Sequence, residues 1–162
     1  MITLKSSERE QLLLLQGEAL IQSLTDKYLS LTDGVINADT MTLLNGHQHT
    51  LLAYRYFCEE VKNGGFVQLI QNGYGTYIFR NPFAKSLKLF GAETLGKLVY
   101  KAQEIYFDHA EELEKETTEE QFLSMYVDFE EFDAIEESFY AIEEEQTALI
   151  SNYVKENLDL FL

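Results

Sequence analysis

Between Phe129 and Leu160 the apolar residues Phe132, Ile135, Phe139, Ile142, Leu149 and Tyr153 recur at alternating three- and four-residue spacings, with Gln146 filling one slot. That period fits one face of an α-helix and no β-strand. Glu130, Glu137 and Glu144, spaced by seven, fall on the opposite side with Asp133 and Glu145 near them. The segment therefore reads as a helix with a buried apolar stripe and an acidic back.

The same period recurs upstream. A first helix is expected from Ser7 to Ser30, closed by Gly34, and a second from Asp39 or Met41 to Val61, stopping at "NGG". A short helical stretch from Phe66 to Gln71 lies between glycines. Pro82, the only proline, suits the first turn of another short helix, which Gly91 closes. A long helix follows from Ala92 to Glu116, with Leu95, Val99, Ala102, Tyr106, His109 and Leu113 on one face. Thr117 or Thr118 before Glu119 and Glu120 marks the next helix start. Val, Ile and Thr nowhere alternate with polar residues for long, so few or no strands are expected. The fold class is all-α: a compact, single-domain multi-helix bundle over residues 1–162 with acidic C-terminal helices.

A chain of 162 residues with 21 Phe and Tyr has the material for a core. No apolar run reaches membrane-spanning length, and the N-terminal leucines are too few for a signal peptide. The lone Cys58 has no partner for an internal disulfide. A cytoplasmic protein that meets no membrane is the expectation.

Charge is where the sequence speaks about function. Residues 104–145 hold 17 of the 28 carboxylates against the single Lys115, a local net charge of −16. The other 120 residues hold 11 acidic and 11 basic side chains and net to zero. Like charges at helical spacing repel by a few tenths of a kcal/mol per pair, so the segment gives up stability. A solvated face is the bland reading, yet solubility asks only for a charge of about 2 to 8 with mixed signs. A single-sign field steers a basic partner. Duplex DNA carries one charge per about 1.7 Å of axis, whereas residues seven apart on a helix are about 10.5 Å apart. One acidic row is too sparse to imitate DNA; two helices side by side, or a surface doubled across a homodimer, come closer.

The segment "NGGFVQLIQNGYGTY", Asn63 to Tyr77, resembles the bacterial family that includes the neisserial DNA-mimic protein. Its members carry an NGGF-type segment and a second Asn, here Asn63, Gly64, Gly65, Phe66 and Asn72. "FGAETL" (Phe90–Leu95) and "FDAIEESFYAI" (Phe132–Ile142) extend the resemblance over about residues 42–155. The chain departs at "QNGYGTY", where the family more often has a serine-containing turn. The resemblance implies a compact helical fold and, for the characterised member, a dimer whose acidic surface occupies a transcription factor.

Other constellations are weaker. "NGG" before a helix offers backbone N–H groups to an anion, but without GK[ST] or a preceding strand it reads as a structural turn in which Asn63, Gly64 and Gly65 supply positive-φ positions and a cap. His47 and His49, two apart, face different sides of a helix, so a shared metal is not expected. His109 reads as a core side chain. "DFEEFDAIEE" lacks the glycine of a calcium loop. No catalytic motif, metal site or cofactor site emerges.

The expectation is a non-enzymatic acidic protein that binds a basic protein, such as a DNA-binding transcription factor, by imitating DNA and without binding nucleic acid itself. The carboxylates assigned to that contact are Glu111, Glu112, Glu119, Glu120, Glu130, Glu131, Asp133, Glu137, Glu144 and Glu145. An immunity-type inhibitor of a basic toxin would use the same electrostatics. An enzyme would place a deep pocket at the Gly-rich segment 63–77.

Overall fold

The computed structural model describes residues 1–162. The chain forms eight α-helices and no strand: α1 Ser6–Leu14, α2 Gly17–Thr32, α3 Gly46–Gln71, α4 Gly75–Phe79, α5 Phe83–Leu89, α6 Glu93–Glu114, α7 Glu119–Asp128 and α8 Asp133–Glu156. Short 3-10 turns lie at Thr40–Leu43, Glu130–Phe132 and Leu158–Phe161. The all-α expectation holds.

Helix α3 is the axis, packed against α2, α4, α5, α6 and α8. The stripe of α8 lands on it through aromatic rings. Phe139 meets Phe57 edge to face at 5.0 Å between centroids, and Phe132, in the preceding 3-10 turn, stacks on Phe66 at 5.2 Å. Such pairs add about 0.5–1.5 kcal/mol each beyond the area they bury. Gln146 is buried as the stripe requires, and its Oε1 accepts the Leu95 N–H at 3.1 Å. That amide lies in the first turn of α6, where Ala92 has no side chain to cap it. Further along, Leu149 sits at the rim while Ile150 and Val154 are fully buried. A strict alternation of three and four averages 3.5 residues per turn against the helix's 3.6, a drift of about 20° per heptad that carries the buried face toward Ile150 along α8.

Several sequence expectations are corrected. The first helix is two: Leu15 and Gln16 are extended between α1 and α2, and Gly17, at φ +54°, donates its N–H to Ser151 Oγ at 2.9 Å. The acceptor that starts α2 comes from α8, a partner invisible in local periodicity. The helix expected to stop at "NGG" instead continues to Gln71 across a kink, entered after a 3-10 turn at Thr40–Leu43 and the Asn45 cap, which accepts from His47 and Gln48 N–H. His109, placed in the core by its spacing, is exposed, because α6 unwinds there (φ −132°, ψ 23°), turning the imidazole outward while Leu113 returns to the core. Helix α4 forms where none was expected, and the segment from Phe129 to Leu160 is α8 between two 3-10 turns; three other boundaries follow the signals. Phe83 begins α5 directly after Pro82, Gly91 at φ +88° ends that turn, and Thr118 caps α7 by accepting the Gln121 N–H at 3.2 Å.

Candidate functional site

The site begins with the backbone of "NGGF". Gly65 adopts φ +72° and ψ −170°, a region open essentially to glycine alone, and its break in α3 frees backbone groups from the helical ladder. Three of them find a side chain on the acidic elements. Tyr140 of α8 donates its hydroxyl to the Val61 carbonyl at 2.8 Å, and Tyr126 of α7 donates to the Gly64 carbonyl at 2.8 Å. Glu136 of α8 accepts the Phe66 N–H at 2.8 Å. Glu60, one turn before the kink, spans it by accepting from Gln68 Nε2 at 3.1 Å and Asn72 Nδ2 at 2.7 Å. The motif residues thus divide in role. Gly65 is the kink, Phe66 is its core anchor and Asn72 is its tie. Gly64 (φ −155°) lends a carbonyl, and Asn63 is exposed on the surface. Of the three residues expected to supply positive φ, only Gly65 does.

Glu136 is set apart from its acidic neighbours. It is half-buried, and burial pushes its carboxyl above the usual range, opposed by the Phe66 amide and reinforced by Asp133. Glu143 is also half-buried and forms an ion pair with Lys62 at 3.0 Å. The remaining 15 carboxylates of residues 104–145 are exposed, all ten assigned to partner contact among them. Elsewhere on the molecule a few charges pair: Arg9 with Asp159, half-buried Arg55 with Asp26 and Glu59, and Lys97 with Glu93. None of the ten has a Lys or Arg partner; Glu112 and Glu131 approach only His109, at 3.9 and 3.8 Å. The imidazole, edge-on to Phe129, stands between the end of α6 and the turn before α8.

Other cross-links hold the elements that carry the charge. Gln71 of α3 donates to the Leu113 and Lys115 carbonyls and so closes the last turn of α6. Its Oε1 accepts from Thr117 Oγ1 at 2.8 Å, just before α7. The hydroxyl of Tyr106 donates to Glu114, and Arg80 lies 5.4 Å from the centroids of both Tyr106 and Phe107. The end of α3 is therefore the frame on which α6, α7 and α8 are hung. Sequence reasoning did not find Tyr126, Tyr140, Gln71 or Glu136 in these roles. The only hint was a polar tip on an aromatic ring inside an acidic run, which does not say where the tip reaches. The NGGF part of the Gly-rich segment is this packed kink, with Gly65 and Phe66 buried.

The comparisons with known proteins match this region. DMP19-like proteins form a family whose pattern fits residues 42–157. A DNA mimic protein, DMP19, of Neisseria meningitidis serogroup B is 32% identical over 161 residues, covering 99% of this chain and 94% of that protein. The chain belongs to the DMP19-like family. In this DMP19-like chain the family-matched stretch contains the kink, its three ties and every carboxylate of the acidic face. Helices α1 and α2 lie before it, and α2 packs on α3 and α8 from outside the matched stretch. No helix is long and apolar enough to cross a membrane.

Proposed function

We propose that this protein is a non-enzymatic, cytoplasmic DNA mimic that occupies the nucleic-acid-binding surface of a basic protein, such as a transcription factor. The carrying observation is the set of exposed carboxylates on α6, α7 and α8 that have no Lys or Arg partner, in a chain whose other residues balance in charge. Glu111 and Glu112 of α6, Glu119 and Glu120 of α7, Glu130 and Glu131 of the connecting turn, and Asp133, Glu137, Glu144 and Glu145 of α8 supply the contact. Membership of a family that includes a protein named as a DNA mimic supports the reading. A homodimer would bring the local charge density nearer to that of a duplex.

The test is capture of the partner from native lysate at low salt, followed by competition. Release of a DNA-binding protein by moderate salt, and its displacement by that protein's own DNA site, is the expected result. A partner that binds this chain and its DNA site at the same time would overturn the mimicry.

A further inference from the structure

Away from the carboxylates, a half-enclosed cavity of about 320 Å³ lies between the N-terminal half of α3, the α4–α5 junction and α5. Its size falls within the range of small-molecule sites, about 300–1,000 Å³. None of its 14 lining residues is Asp, Glu, Lys or Arg, although a quarter of the chain is charged. Phe83 and Phe90 are buried behind it, and the lining rings that keep accessible surface are those of His47, Tyr77 and Tyr153, all half-buried. Phe90 stacks on Tyr153 at 4.6 Å and lies nearly parallel to His47, with centroids 5.9 Å apart.

The polar groups around it fall into two kinds. His49 is fully engaged: Nε2 contacts the Met41 carbonyl at 2.8 Å and Nδ1 the Tyr77 hydroxyl at 2.9 Å. Nε2–H donating to the Met41 carbonyl fixes the Thr40–Leu43 turn as a wall. The His47 ring, Ser86 Oγ and Asn81 Oδ1 also belong to the lining, and none takes a hydrogen-bond partner within the chain.

We propose that this cavity binds a small, uncharged, planar heteroaromatic molecule, with its ring against the half-buried His47 imidazole and its polar edge toward Ser86 and Asn81. A charged ligand would be desolvated there without a countercharge. A purely aliphatic one would cover polar groups without pairing them. Indole-type compounds and free nucleobases share the required chemistry, and the proposal is independent of what the acidic face binds.

The experiment titrates the full-length, isotope-labelled protein with indole and, separately, with adenine, following backbone amide shifts. Saturable shifts confined to residues 46–53 and 82–90, with a Kd below about 1 mM, are expected for at least one probe. Indole alone would assign the site to indole-type compounds, and adenine alone to nucleobases. Ser86→Trp, filling the mouth, should abolish the shifts. His47→Ala, removing one stacking face, should weaken binding up to about tenfold. No saturable shift from either probe would overturn the proposal, as would undiminished binding in Ser86→Trp. If Ser86→Trp does not fold, unchanged affinity in His47→Ala overturns it.

Discussion

Replacing Gly65 with alanine tests whether the kink in α3 is what holds the acidic helices. Two costs follow from the structure. The backbone at φ +72°, ψ −170° admits glycine almost exclusively, which for alanine is worth about 1–3 kcal/mol. The new Cβ would also fall onto Glu136, 2.8 Å from its Cδ, so the carboxylate must leave the Phe66 N–H it now accepts at 2.8 Å. A hydrogen bond to a charged group is worth about 1.5–3 kcal/mol, and because Glu136 is only half-buried the lower end applies. Together these give about 3–4 kcal/mol, or roughly 6–16 °C in melting temperature for a chain of this size. Urea unfolding followed by circular dichroism measures it, and a double-mutant cycle separates the two parts. In a Glu136→Ala background the Cβ meets no carboxylate, so Gly65→Ala should cost only the backbone part, leaving a coupling of about 1–2 kcal/mol. A cost below about 1 kcal/mol, or an equal cost in both backgrounds, would refute the role given to the kink.

Three further outcomes are expected. Glu136→Gln keeps an oxygen acceptor for Phe66 while removing the ionisation that burial opposes; because the folded carboxyl is pushed up, its stabilising contribution is complete below the ordinary Glu range and is lost as pH rises through the folded value. The variant should therefore gain stability over the wild type near pH 7 and lose that gain near pH 4, read from urea midpoints across that window; an advantage independent of pH would contradict it. Glu130→Gln, Glu137→Gln and Glu144→Gln together should raise stability by up to about 1 kcal/mol through relieved repulsion, while weakening capture of a basic partner and flattening its salt dependence; unchanged affinity would remove these residues from the contact. The Cys58 thiol, pushed up to about 12 by burial beside Tyr54, should react with a thiol reagent at pH 8 at least about a hundredfold more slowly in the folded protein than after unfolding; comparable rates would disprove it.

Periodicity was enough for much of this fold, because a helix that buries one face must repeat its apolar residues at the helical period whatever it packs against. The stripe of α8, the start of α5 after Pro82, its closure at Gly91 and the Thr118 cap all rest on interactions within a few residues, and they are readable for that reason. The concentration of carboxylates was equally plain, since charge is counted directly from composition. What failed were positions decided by distant partners or by small changes in helical phase. His109 follows the helical spacing but turns outward where α6 unwinds. Leu149 yields its buried place to Ile150 because the stripe drifts. The break before Gly17 depends on Ser151, and the kink at Gly65 on Glu136, some 70 residues away.

By itself, then, the sequence determined the helical class, the acidic segment and the family resemblance, all of which depend on local spacing and residue type. Only the tertiary structure decided which carboxylates face outward and which is drawn in to Phe66, and how Tyr126, Tyr140 and Gln71 fix the acidic helices to α3. Those outcomes turn on backbone groups that must be satisfied once the helix breaks. The side chains that satisfy them are chosen by packing in space.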